Sequence, residues 1–220
     1  MYTLTIGDKA YSSWSMRGWL LLAAFGVKFE EELVRMYDPE FDAMQAAHAP
    51  ARQVPQLAWR EGGALRRIWD TAAIAETLAE RHPAAGHWPR DAWGRTVARV
   101  LVAEMHSGFS VLRGVAPMNL HRTGRPLSTR PEGLDQDLAR LGALWAWAIG
   151  ETGGPWLAGA RFTAADAFFA PVASRLISYD LVDGTTAPYA ERLMANPAVA
   201  RWREAALADP RRIARYEDIP

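Results

Sequence analysis

Tyr11-Ser12-Ser13-Trp14-Ser15-Met16-Arg17 joins two segments of opposite periodicity. Before it, Tyr2-Thr3-Leu4-Thr5-Ile6 alternates as a half-buried strand does. From Trp14 to Phe25 the chain is long, apolar and free of proline, as a buried helix is. The hydroxyls therefore lie where a strand hands over to a helix. The first N–H groups of a helix have no intrahelical partner, and its dipole places partial positive charge there. Such a position has two uses. A serine, Ser13 in first place, can cap the helix, or the helix start can hold an anion such as a thiolate or phosphate.

The composition narrows the chemistry. The chain has 220 residues, half of them hydrophobic, enough for one large domain or two small ones. Lys plus Arg equals Asp plus Glu at 25 each, which speaks against a general nucleic-acid binder. There is no cysteine, so a thiol-dependent reaction must take its sulfur from a ligand. No metal is expected, because His48, His82, His87, His106 and His121 lack metal-ligand spacing. No apolar run reaches the length of a membrane span, and the start lacks the pattern of a signal peptide. The expectation is a cytoplasmic protein with no membrane partner.

Along the first eighty residues the pattern reads strand, helix, strand, short helix, strand, strand, helix. Phe29 to Arg35 is the second strand, and a short helix opens at Asp38-Pro39 and fades near His48. Gln56 to Trp59 and Leu65 to Trp69 form a hairpin about Gly62-Gly63, and a helix runs from Thr71 to Arg81. Periodicity disappears around His82 to Pro89. Beyond that point Val97, Val100, Leu101, Met105, Phe109, Leu112 and Ala116 recur at helical spacing as one long stretch. Leu134, Leu138, Leu141, Trp145 and Ile149 make another. The expected organisation is an α/β domain over residues 1–82, a linker over 83–92 and an all-helical domain over 93–220.

Two further places can meet a ligand. Gln53-Val54-Pro55-Gln56 sets a proline at a strand entrance, where a cis bond would turn the Val54 backbone outward and a trans bond would simply start the strand. Asp70-Thr71 brings a carboxylate and a hydroxyl to the start of the next helix, where either can cap it.

The order of these features resembles the glutathione-binding domain of the glutathione transferase superfamily. Ser12-Ser13-Trp14-Ser15-Met16-Arg17 is similar to the zeta-class pattern of two serines, a variable residue, a serine, another residue and arginine. Arg161 to Phe169 resembles the capping box and hydrophobic staple that begin a buried helix in the family's helical domain, with Thr163 and Asp166 as its reciprocal pair. The likeness runs from Leu4 to about Arg203. It departs from the family at Asp70-Thr71, where glutamate or glutamine followed by serine is common, and at Gly18-Trp19, where a small aliphatic continuation is expected.

The resemblance implies an N-terminal thioredoxin-like domain followed by a C-terminal helical bundle, paired as a homodimer, with glutathione as co-substrate. By analogy the Gln53-Val54-Pro55 segment would hold the cysteinyl part through the Val54 backbone before a cis Pro55. Asp70 and Thr71 would hold the γ-glutamyl end. Ser12 aligns with the activating residue, Ser13 with the second position and Ser15 with the third. The electrophile pocket would lie between the domains, where His106, Phe109, Ser110 and Arg113 can share one helix face. The implied activity is a glutathione transferase that activates the thiol for addition to small hydrophobic electrophiles. Two alternatives remain open: a non-catalytic dimer that binds glutathione or other ligands, and a glutathione-dependent isomerase of maleyl-type substrates.

Overall fold

A computed structural model describes residues 1–219. Its first part is a four-stranded sheet in the order β2-β1-β3-β4, made of β1 (Tyr2–Ile6), β2 (Phe29–Leu33), β3 (Gln56–Glu61) and β4 (Ala64–Trp69). β1 runs parallel to β2 and antiparallel to β3, and β3 and β4 form the hairpin. β1 is central and carries the fully buried Leu4 and Ile6. β2 is an edge whose Glu30, Glu31 and Glu32 are exposed, which discourages pairing with another chain. The crossover between these two strands is α1 (Ser13–Ala23), followed later by α2 (Pro39–Ala47) and α3 (Thr71–Arg81).

The second part holds α4 (Ala92–Ser107), α5 (Ser110–Val115), α6 (Leu134–Thr152), α7 (Ala164–Ser178), α8 (Ala187–Met194), α9 (Pro197–Ala208) and the short α10 (Ala214–Glu217). α7 is buried along almost its whole length and packs against both α1 and α4. Leu4, Met16 and Leu20 thus share one apolar core with Phe168, Phe169 and Trp202. Asp166 fixes the start of α7 by accepting the Thr163 N–H at 2.7 Å, the Leu157 N–H at 3.1 Å and the Tyr189 hydroxyl at 2.7 Å. Among the described residues no helix is long and apolar enough to cross a membrane.

One expected element is corrected. The stretch from Val97 to Ala116 is two helices, because α4 ends at Ser107 and the chain reverses through Gly108 and Phe109. The Gly108 N–H closes on the Glu104 carbonyl at 2.7 Å, and a Cβ there would lie 2.7 Å from the same oxygen. Phe109 then adopts the left-handed conformation, with φ of 56°. His106 and Phe109 therefore do not share a continuous helix face with Ser110 and Arg113. Val100, placed in the apolar stripe by spacing, is 42% exposed.

Candidate active site

The turn after β1 fixes where α1 begins. The N–H groups of Tyr11 and Ser12 both close on the Asp8 carbonyl, at 3.1 and 2.8 Å. Ser12, rather than Ser13, is the N-cap: its Oγ accepts the Ser15 N–H at 3.3 Å and donates to Ser15 Oγ at 2.7 Å. Ser15 Oγ also accepts the Gly7 N–H at 2.9 Å, and the residue is fully buried. Ser15 therefore braces the turn from beneath. Ser13 is the first residue of the helix. Its hydroxyl accepts from Arg175 Nη2 at 3.1 Å, and its own proton has no acceptor among the described residues.

Ser12 and Ser13 open onto a cavity of about 560 Å³ between the two domains. Met36, Phe41 and Met118 give it an apolar wall, and Arg52, Arg113 and Arg175 a basic one. None of its lining residues is acidic. Ser110 lies on this wall as well. Beside it is a pocket of about 180 Å³ formed by Pro55, Asp70, Thr71 and His106. Trp14, Gln53 and Val54 line both. The Val54-Pro55 bond is cis. A Cβ on Gly18 would come within 2.6 Å of the Pro55 ring, which gives a steric reason for glycine where the zeta pattern has a small aliphatic residue.

Two of the expected electrophile-pocket residues lie elsewhere. Phe109 is buried against Phe169, with ring centroids 6.5 Å apart, and lines neither cavity because the turn at Gly108 swings it into the core. His106 faces the smaller pocket, with Nε2 3.1 Å from Asp70 Oδ2. Asp70 uses its other oxygen to cap α3, accepting the N–H groups of Ala72 and Ala73 at 2.8 and 3.4 Å. The Thr71 hydroxyl is buried without a partner among the described residues.

The electrostatics are one-sided. Arg175 is 5% exposed on α7, and its Nη1 reaches only the Pro171 carbonyl, at 3.4 Å. Burial, then the nearby Arg113 charge, brings its pKa down to about 10. Arg17 is fully buried, donates Nε–H to the Phe168 carbonyl at 2.9 Å and stacks 4.3 Å from the Trp14 ring centroid. Burial first, then Arg175 and Arg113, hold it well below its ordinary value. A buried cation without an acid beside it favours any anion that can reach it. The helix start at Ser13 adds to the same field.

The apolar wall of this cavity escaped the sequence reading, and so did its polar residues Arg52, Arg175 and Tyr216. Arg175 did carry a signal: it and Asp166 are the only charges in the fifteen-residue apolar helix α7. Arg52 carried none. Tyr216 arrives on a C-terminal strap, where its ring stacks on Tyr11 at 5.1 Å and its hydroxyl meets that of Tyr37 at 2.9 Å. The strap is tied down by Arg211, which donates to Asp38 at 2.8 and 2.9 Å, and by Asp209, which pairs with Arg35.

A sheet of this order, with a helix start and a cis-proline edge turned toward a helical bundle, defines a thioredoxin-like domain joined to a helical partner. Residues 11–81 match the family model for the glutathione S-transferase N-terminal domain, and residues 126–205 match that for the C-terminal domain. The chain belongs to the glutathione transferase superfamily. A Burkholderia glutathione transferase homologue solved with bound glutathione is 25% identical, with a TM-score of 0.68 over 94% of this chain and 98% of that one. A maleylacetoacetate isomerase from Anaeromyxobacter dehalogenans, solved with dicarboxyethyl glutathione and citrate in its active site, is 27% identical, with a TM-score of 0.62 over 100% of this chain and 98% of that one. An omega glutathione transferase from Trametes versicolor, at 17% identity and a TM-score of 0.70 over 99% and 97%, shares the fold. No curated protein matches significantly in sequence.

Proposed function

We propose that this protein is a glutathione transferase that presents the glutathione thiolate to an electrophile with an apolar body and a negatively charged group. The observation that carries the second half is the acid-free cavity wall of Arg52, Arg113 and Arg175 facing Met36, Phe41 and Met118. A neutral hydrophobic electrophile would leave those guanidinium groups without a counter-charge, whereas a carboxylate supplies one.

In this reading the Val54 backbone pairs with the cysteinyl unit and Asp70 and Thr71 receive the γ-glutamyl end. The sulfur then lies at the start of α1. Ser13 donates its hydroxyl proton to the thiolate, since Ser12 already spends its own on Ser15. The energy is adequate. A free cysteine thiol titrates at about 8.5, and lowering it by two pH units takes about 2.7 kcal/mol. A hydrogen bond to a charged acceptor supplies about 1.5–3 kcal/mol and a helix terminus about 0.3–1. No general base is required of the serine.

The same arginines favour a second reading, a maleyl-type isomerase. There the thiolate adds to the double bond, the resulting single bond rotates, and the sulfur–carbon bond breaks to return glutathione unchanged. The relative with bound dicarboxyethyl glutathione supports it.

Calorimetric titration with glutathione, followed by initial rates on a neutral aryl halide, its carboxylate-bearing counterpart and a maleyl-type substrate, tests the proposal. Saturable binding with faster turnover of the carboxylate-bearing halide is expected. Turnover of the maleyl substrate alone selects the isomerase. Binding with no turnover of any substrate makes the protein a glutathione-binding module, and no binding overturns the reading altogether.

A further inference from the structure

A further cavity, of about 310 Å³, lies where the linker between the domains passes the turn ahead of α7. It shares no residue with the cavities at Ser13 and Thr71. Small residues leave the space: Ala84 and Gly86 come from the linker, and Ala158, Gly159 and Ala160 from the turn. Both sides are held in place. Trp156 and Gly159 exchange backbone hydrogen bonds at 3.0 and 3.3 Å, and the Ala164 N–H ties the start of α7 to the His87 carbonyl at 2.8 Å. Trp88 supplies an aromatic side, its Nε1–H donating to Glu76 at 3.2 Å.

The polar groups of the lining divide into spent and unspent. The Thr152 hydroxyl donates to the Ala148 carbonyl at 2.8 Å and the Thr163 hydroxyl to Asp166 at 2.9 Å. Asp91, the one acid of the lining, accepts the Gly94 N–H at 2.6 Å as the cap of α4. Arg90 and Arg161 differ: among the described residues neither guanidinium has a hydrogen-bond acceptor or an ion-pair partner. Arg161 Nη2 lies 3.3 Å from where a Cβ on Gly86 would stand, so the guanidinium rests over the linker at a residue with φ of 79°. We infer that this cavity is a second ligand site, which takes a flat aromatic anion with its ring against Trp88 and its acidic group on Arg90 and Arg161. The volume is at the small end of the range for organic ligands, about 300–1,000 Å³, and suits a fused pair of rings. Two guanidinium groups against one committed carboxylate leave positive charge to be met, and their planar forks match an acidic group through charge-assisted hydrogen bonds. With both hydroxyls spent, the lining offers no nucleophile, and the site binds without turnover.

Calorimetry on the full chain tests this with naphthalene-2-sulfonate as the probe, beside the uncharged naphthalene-2-sulfonamide and inorganic sulfate. The titrations are made first in Arg175→Met, whose other cavity has lost an anion contact. Saturable binding of the sulfonate is expected there, with the sulfonamide and sulfate each about ten-fold weaker or more, since one lacks the charge and the other the ring. Adding Arg161→Gln should weaken the sulfonate about ten-fold, the worth of a hydrogen bond to a charged group. Adding Ala160→Phe, which plugs the cavity, should abolish binding. In a chain that keeps Arg175, the same two changes should remove one class of sulfonate site and leave any site at Ser13 untouched, so the result does not hang on how Arg175→Met folds. Sulfonate binding that survives both Arg161→Gln and Ala160→Phe overturns the inference, because the probe then sits elsewhere. Equal affinity for the sulfonamide overturns it as well, and so does the absence of saturable binding. None of these outcomes depends on whether the protein binds glutathione.

Discussion

Replacing Arg175 with methionine should make the protein more stable and less active. The fall in the Arg175 pKa from 12.5 to about 10, at about 1.36 kcal/mol per pH unit, corresponds to roughly 3 kcal/mol of unfavourable charge burial. Methionine removes that cost and fills much of the same space. Against it stand the hydrogen bonds to the Ser13 hydroxyl and the Pro171 carbonyl, about 1 kcal/mol each. The balance is a gain of about 1 kcal/mol, or a thermal midpoint raised by about 2–4 °C for a chain of this size. Conversely, a carboxylate-bearing ligand loses a charged hydrogen bond of about 1.5–3 kcal/mol, at least ten-fold in affinity. Urea denaturation without ligand reads the first quantity and calorimetry the second. An Arg175→Met protein destabilised by more than about 1 kcal/mol would refute the reasoning, because the guanidinium would then be satisfied by its surroundings.

Other consequences follow from the same geometry. Ser12→Ala removes the α1 cap and should cost about 1 kcal/mol of stability while turnover is kept; Ser13→Ala loses the hydrogen bond from Arg175, again about 1 kcal/mol, and should slow turnover as well, so rate measurements in which Ser12→Ala is slow and Ser13→Ala is not would return the activating role to Ser12. Gly18→Ala drives a methyl into the Pro55 ring, so glutathione affinity should fall as that segment is displaced, and calorimetry showing unchanged affinity would contradict the contact. Burial holds the His87 pKa below its ordinary value, against the raising effect of its Nε2–H bond to the Leu21 carbonyl. The unfolded chain then binds a proton near pH 6.5 that the folded protein refuses, so stability is lost as pH falls below about 6.5. Urea midpoints at mildly alkaline and mildly acidic pH should differ less in His87→Gln than in wild type, and an identical difference would exclude His87 as a source.

Much of the first domain was legible because its signals are local. The alternation of Tyr2 to Ile6, the Gly62-Gly63 hairpin and the cap at Asp70 are each set by neighbours in sequence. The break at Gly108 was not legible from spacing. Phe109 and Leu112 are buried on its far side, so the apolar stripe runs on through a turn that only the glycine marks. The helix cap was read one position late, at Ser13 rather than Ser12, since periodicity locates a helix start to within a residue or two, and Ser12 and Ser13 can each supply a capping oxygen. Arg175 and Tyr216 reach the cavity from residues more than 150 positions away from Ser13, by packing that no local pattern encodes. His106 was placed on the right element, but which of the two pockets beside Trp14 it lines depends on where α4 ends, and spacing does not give that.

The central claim is that the start of α1 and the Ser13 hydroxyl turn glutathione into a thiolate. Following thiolate ultraviolet absorbance of saturating bound glutathione across pH measures this directly. The bound thiol should titrate about two pH units below the free value of about 8.5, and Ser13→Ala should return it most of the way. Saturable binding with an unshifted thiol would contradict the account.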